Sequence, residues 1–124
     1  MRFMYIVTSS HPQGPPTPEL MDAMHKLADR EIKAGRMLDS GGLMPVATGA
    51  QVRITDGKLS VLDGPFVEAK EVIGGYAQFE VKSKQEAIEG AVRFMELHKK
   101  YWPGWEGETE VREMFGPEGC DPKA

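Results

Sequence analysis

The apolar and polar positions along the chain change period several times, and each change marks an element. Residues 2–8 (RFMYIVT) are apolar and β-prone and are expected to form a buried first strand. Turn formers fill the stretch from Ser9 to Pro16. Thr17-Pro18-Glu19 has the order of a helix start: a hydroxyl cap, proline at the first helical position, then an acid. Leu20, Met24, Leu27, Ala28 and Ile32 follow at helical spacing as one apolar stripe, and Ala34-Gly35 ends the helix. Residues 36–44 read as a second strand that runs into a glycine pair and is closed by Pro45. Residues 50–55 and 58–63 alternate around Asp56-Gly57, a hairpin signal. Residues 71–82 form another strand, in which Gly74-Gly75 suggests a bulge or a close backbone approach. Ser83-Lys84-Gln85-Glu86 matches a capping box for a second helix. Its expected buried face is Ala87, Ile88, Ala91, Val92 and Met95, before Tyr101-Trp102-Pro103-Gly104-Trp105 breaks it. Residues 108–115 alternate as a last strand.

The order is β-α-β, an inserted β-hairpin, then β-α-β. This is an α+β, ferredoxin-like pattern, with one antiparallel sheet and both helices on one face. The other face then stays open, yet its positions are apolar or aromatic more often than a water-facing surface requires. A two-fold homodimer with the sheets face to face is the simplest way to cover it.

The 124 residues suffice for a single domain, taken as 1–116, with 117–124 as a C-terminal tail without core positions. A net charge of −4 argues against a nucleic-acid partner, because binding phosphate needs a basic face. One cysteine, Cys120, excludes an intrachain disulfide and a multi-thiol metal site. The five apolar residues Phe3 to Val7 are too few for a signal-peptide core or a membrane span, so no membrane partner and a cytoplasmic location are expected.

Candidate chemistry concentrates between Asp63 and Glu71. Asp63 could act as a base or cap backbone amides in a tight turn. Phe66 offers a flat apolar wall. Glu68 and Lys70 project to one side of an extended segment, and burial could tune a carboxylate there for acid/base work. Arg53 could pair with Asp63 or Glu71, or clamp a carboxylate ligand. Tyr5 and Tyr76 lie on strands and could line a pocket. His25 and Asp29 stand four apart on the first helix, as a base oriented by a carboxylate would. Trp102 and Trp105 could stack a ligand or anchor their loop. Three scattered histidines without a carboxylate at ligand spacing make no case for a metal, and no cofactor motif is present.

Asp63-Gly64-Pro65-Phe66, followed by Glu68, Lys70-Glu71 and Gly74-Gly75-Tyr76, resembles the DGPF-domain branch of the YCII-related family. Gly41-Gly42-Leu43, Pro45, Val52-Arg53, Asp56-Gly57, Glu86-Ala87 and the Gly107 to Phe115 segment match as well. The resemblance spans residues 1–116 and implies a dimeric α+β barrel. In the wider group a helix histidine and an aspartate are proposed as an acid/base pair. The histidine would fall near Met24 and the aspartate among residues 99–104, where none occurs, so that pair does not carry over. The expected function is binding of a small, anionic or aromatic metabolite between the sheet's open face and the 63–71 loop. Asp63, Glu68 or His25 would supply acid/base chemistry there. The alternative is a non-catalytic, ligand-sensing or partner-binding module, in the extracytoplasmic-function sigma-factor context that the resemblance implies.

Overall fold

A computed structural model of the protein describes residues 1–10, 14–64 and 72–115. Its elements are β1 (Arg2–Ser9), α1 (Pro18–Lys33), β2 (Met37–Gly42), β3 (Ala50–Thr55), β4 (Lys58–Asp63), β5 (Val72–Glu80), α2 (Lys84–Tyr101) and β6 (Gly107–Met114), with one 3-10 turn at Val46–Thr48. Four strands form an antiparallel sheet in the order β2-β5-β1-β6, and β3 and β4 form a separate hairpin. The architecture is α+β with two helices, consistent with the ferredoxin-like expectation.

The helix caps follow from the chain chemistry. Thr17 Oγ1 accepts the Leu20 amide at 3.1 Å and donates to the Tyr101 carbonyl at 2.7 Å. One hydroxyl thus starts α1 and ties it to the end of α2. Ser83 Oγ accepts the Glu86 amide at 3.1 Å and starts α2. The bulge expected at the Gly74-Gly75 pair is present: Val7 pairs Gly75 and Thr8 pairs Ile73, leaving Gly74 over.

Phe3 and Tyr5 point to the helix-covered face and meet Phe79, Val81, Ala87 and Ala91. Alanines at 87 and 91 keep α2 close to the sheet, while Val92, expected in the core, is half-exposed. The stripe of α1 also departs from expectation. Ile32 is 57% exposed and its neighbour Glu31 is 6% exposed. The reason is electrostatic: Arg36 Nε lies 2.5 Å from Glu31 Oε2, and Arg93 Nη2 reaches Oε1 at 3.9 Å. A carboxylate with two guanidinium partners can be buried where an unpaired one could not.

Candidate functional site

A chamber of about 590 Å³ lies between the helices and the sheet. Its existence follows from side-chain size. The floor under α1 is built from Ser40, Gly42, Gly75 and Ala77 and from the backbone of Gly41 and Gly74, and no long side chain rises from it to fill the gap. α1 is fully buried only at its two ends, through Leu20 and Glu31. The central residues Met24, Leu27 and Ala28 are half-buried and line the hollow instead.

At the far end the chamber meets an aromatic wall. Phe94, His98 and Trp102 stand four apart and share one side of α2. Beyond Trp102 the chain makes a tight turn. The Trp105 amide donates to the Trp102 carbonyl at 3.1 Å, with Pro103 at the second position and Gly104 at φ +86° at the third. This is the backbone of a type II turn, which needs a residue tolerant of positive φ at that point. The turn carries the Trp105 indole back to 4.6 Å from the His98 ring, and to 6.0 Å from Trp102. A second hollow of about 560 Å³ opens on the other side, lined by Ser9, Ser10, Lys99 and Glu108 among others. His98, Trp102 and Trp105 line both.

His98 is buried, and its Nδ1 lies 3.0 Å from the Phe94 carbonyl. A carbonyl only accepts, so Nδ1 carries the hydrogen. Burial holds the imidazole pKa below the ordinary histidine value, against the smaller opposing pull of that hydrogen bond. The neutral ring therefore leaves Nε2 as an acceptor, and no hydrogen bond to Nε2 occurs among the described residues. At the other end, Tyr5 donates its hydroxyl hydrogen to the Ala87 carbonyl at 2.5 Å, and burial pushes its pKa up to about 12.

Of the residues singled out in the sequence, Tyr5, His25 and Tyr76 border the chamber. Tyr5 lies deep, and His25 sits exposed at the rim. The Asp29 expected to orient His25 is bound to Lys33 at 2.8 Å instead. Tyr76 belongs to the opposite face of β5, with its ring against Gly41, where a Cβ would come within 2.9 Å. Asp63 and Arg53 are exposed on the hairpin, away from the chamber lining. Arg53 donates to Gln51 Oε1 at 3.2 Å. Phe66, Glu68, Lys70 and Glu71 lie outside the described residues. His98 stands at a helix end as one of the three scattered histidines, and no site role was expected of it. Its signal was the aromatic spacing of Phe94, His98 and Trp102.

Among the described residues no cluster of three or more His, Cys, Asp or Glu side chains is placed to hold a metal, and no helix is long and apolar enough to cross a membrane.

The model of the YCII-related domain matches residues 1–95. The chain belongs to the YCII-related family. It is also similar to a protein of Rhizobium meliloti (strain 1021), itself described as uncharacterized, at 33% identity over 60 residues. That match takes in 48% of each chain, so this YCII-related chain spans about half the length of that relative. The family match covers β1, α1, β2, the hairpin, β5 and the first part of α2, so it contains most of the chamber lining. His98 and the two tryptophans fall beyond it.

Proposed function

We propose that this YCII-related protein binds a small metabolite in the helix–sheet chamber and works as a homodimer. The carrying observation is the coincidence of the chamber with a buried, neutral histidine whose Nε2 is available. The volume falls within the range of roughly 300–1,000 Å³ usual for small-ligand sites, and the walls are mostly apolar with few polar groups. The acid/base role expected of a carboxylate passes to His98 in this reading. Glu31, the buried carboxylate at the chamber, is committed to Arg36, and Asp63 stands on the hairpin.

The homodimer reading is supported by surface that a lone chain leaves uncovered. Met4 and Ile6 occupy the sheet face away from the helices. Val52 pairs Val61 and Ile54 pairs Leu59, so one face of the β3–β4 hairpin carries a four-residue aliphatic patch, bounded by the Ala50–Asp63 pair, and all four are about 70% exposed. An isolated two-stranded hairpin is marginally stable in water, so this face calls for a partner surface. The same face supports a second reading, a regulatory module that docks another protein.

The test is metabolite profiling of protein purified from its native cell, beside Ala28→Phe, which projects a ring into the chamber. A small molecule that co-purifies with the wild type and is lost from the variant supports the proposal. A molecule retained equally by both places binding elsewhere and overturns it.

A further inference from the structure

Resting on the chamber as the binding site, we infer that its ligand is a neutral, flat aromatic molecule that donates an O–H or N–H to His98 Nε2.

Three observations converge on that class. The first is charge. Among the described lining residues there is no lysine or arginine, so an anionic ligand finds no fixed cation in the walls. The carboxylate Glu31 already has Arg36 at 2.5 Å and Arg93 at 3.9 Å, so a cationic ligand finds no free anion there either. An unpaired charge brought into such a space would lose its hydration without return.

The second is hydrogen-bond polarity. The Nδ1 hydrogen of His98 goes to the Phe94 carbonyl, and the Tyr5 hydroxyl hydrogen goes to the Ala87 carbonyl. The donor hydrogens of these two side chains are thus spent within the fold. What His98 offers is a lone pair on Nε2, which recognises a donor and gives nothing to an ether or a carbonyl oxygen. Burial keeps the ring in this neutral, accepting form.

The third is shape. Phe94, Trp102 and Trp105 present ring faces and edges around His98, and Met21 and Met24 supply flexible thioethers on the α1 side. Aromatic walls favour a planar guest by offset stacking, and methionine adapts to its edge.

The test is isothermal titration calorimetry of the full chain at pH 7 with three probes of equal core: 2-naphthol, 2-methoxynaphthalene and 2-naphthoate. One net hydrogen bond corresponds to about a tenfold change in affinity. The naphthol is therefore expected to bind about tenfold tighter than the methyl ether, with the carboxylate weaker still. His98→Phe removes the acceptor and is expected to erase the difference between naphthol and ether. His98→Gln, which keeps an acceptor oxygen, is expected to retain part of the preference. Naphthoate binding as tightly as naphthol, or ether and naphthol binding alike, would overturn the ligand class while leaving the chamber as a binding site. No heat from any of the three probes would overturn the chamber reading itself, and this inference with it.

Discussion

The hydroxyl of Tyr5 reaches under α2 to the Ala87 carbonyl, 2.5 Å away, and it passes through the space that a side chain at position 90 would occupy. Gly90 sits within the helix, where glycine costs roughly 1 kcal/mol relative to alanine. A Cβ there would meet the Tyr5 oxygen at 2.6 Å. The glycine in α2 and the tyrosine in β1 are therefore coupled.

Gly90→Ala should accordingly destabilise the protein, although propensity alone would make it stabilising. Tyr5→Phe should cost about 1 kcal/mol for the lost hydrogen bond. In the Tyr5→Phe background, Gly90→Ala should become neutral or stabilising. Denaturant unfolding of the four proteins of this cycle gives the coupling directly. Additive effects would remove the explanation.

Stability should depend on pH through His98. In the unfolded chain its pKa returns to about 6.5, whereas burial holds it lower in the fold. Below about 6.5 the unfolded chain thus binds more protons than the native one. The His98 contribution is fully present above that pH and is lost progressively as the pH falls toward the native value, where it levels off. Comparing guanidinium midpoints of the wild type and His98→Gln at pH 7.5 and 5.5 isolates this term. The variant should lose less stability on acidification.

Tyr5 acts at the alkaline end with the opposite sign. Its native pKa of about 12 exceeds the ordinary 10.0, so the unfolded chain releases its proton first. The Tyr5 contribution should hold below pH 10 and decline as the pH rises toward 12. Absorbance titration of phenolate, compared between the wild type and Tyr5→Phe, should show Tyr5 as the late-ionising phenol.

The hairpin face should govern association. Replacing Ile54 and Val61 by threonine keeps β-propensity while removing aliphatic surface that is about 70% exposed in the single chain. Sedimentation velocity should show the wild type as a dimer and the double variant as a monomer with an unchanged circular dichroism spectrum. A variant that stays dimeric would show that the hairpin lies outside the contact.

The order of elements was legible in the sequence because each is bounded by strong local chemistry: Thr17-Pro18, Asp56-Gly57, the Ser83 cap and the Trp102 to Trp105 break. What escaped was set by contacts between elements. Helical spacing placed Ile32 in the core, but the turn beyond α1 brings Arg36 back onto Glu31 and buries the acid instead. Residues such as Val92 sit one step around the helix from alanines that the sheet selects for closeness. Small residues at 41, 42, 74 and 75 were visible as glycine pairs, but their joint effect, an unfilled floor beneath α1, depends on pairing β2 with β5. Tyr5, His25 and Tyr76 were named on local grounds and do border the chamber. His98 draws its environment from a turn, a helix and a strand end together, which no local pattern reports.

The chamber can be told from the opposite sheet face through methionine methyl groups. Met21, Met24 and Met37 line it, whereas Met4 and Met114 stand on the sheet face away from the helices. Carbon-13 methyl spectra of methionine-labelled protein, titrated with 2-naphthol, therefore locate the ligand by direction. Shifts at Met21, Met24 and Met37, with Met4 and Met114 unmoved, are the expected result. Shifts confined to Met4 and Met114 would contradict the helix–sheet chamber as the binding site.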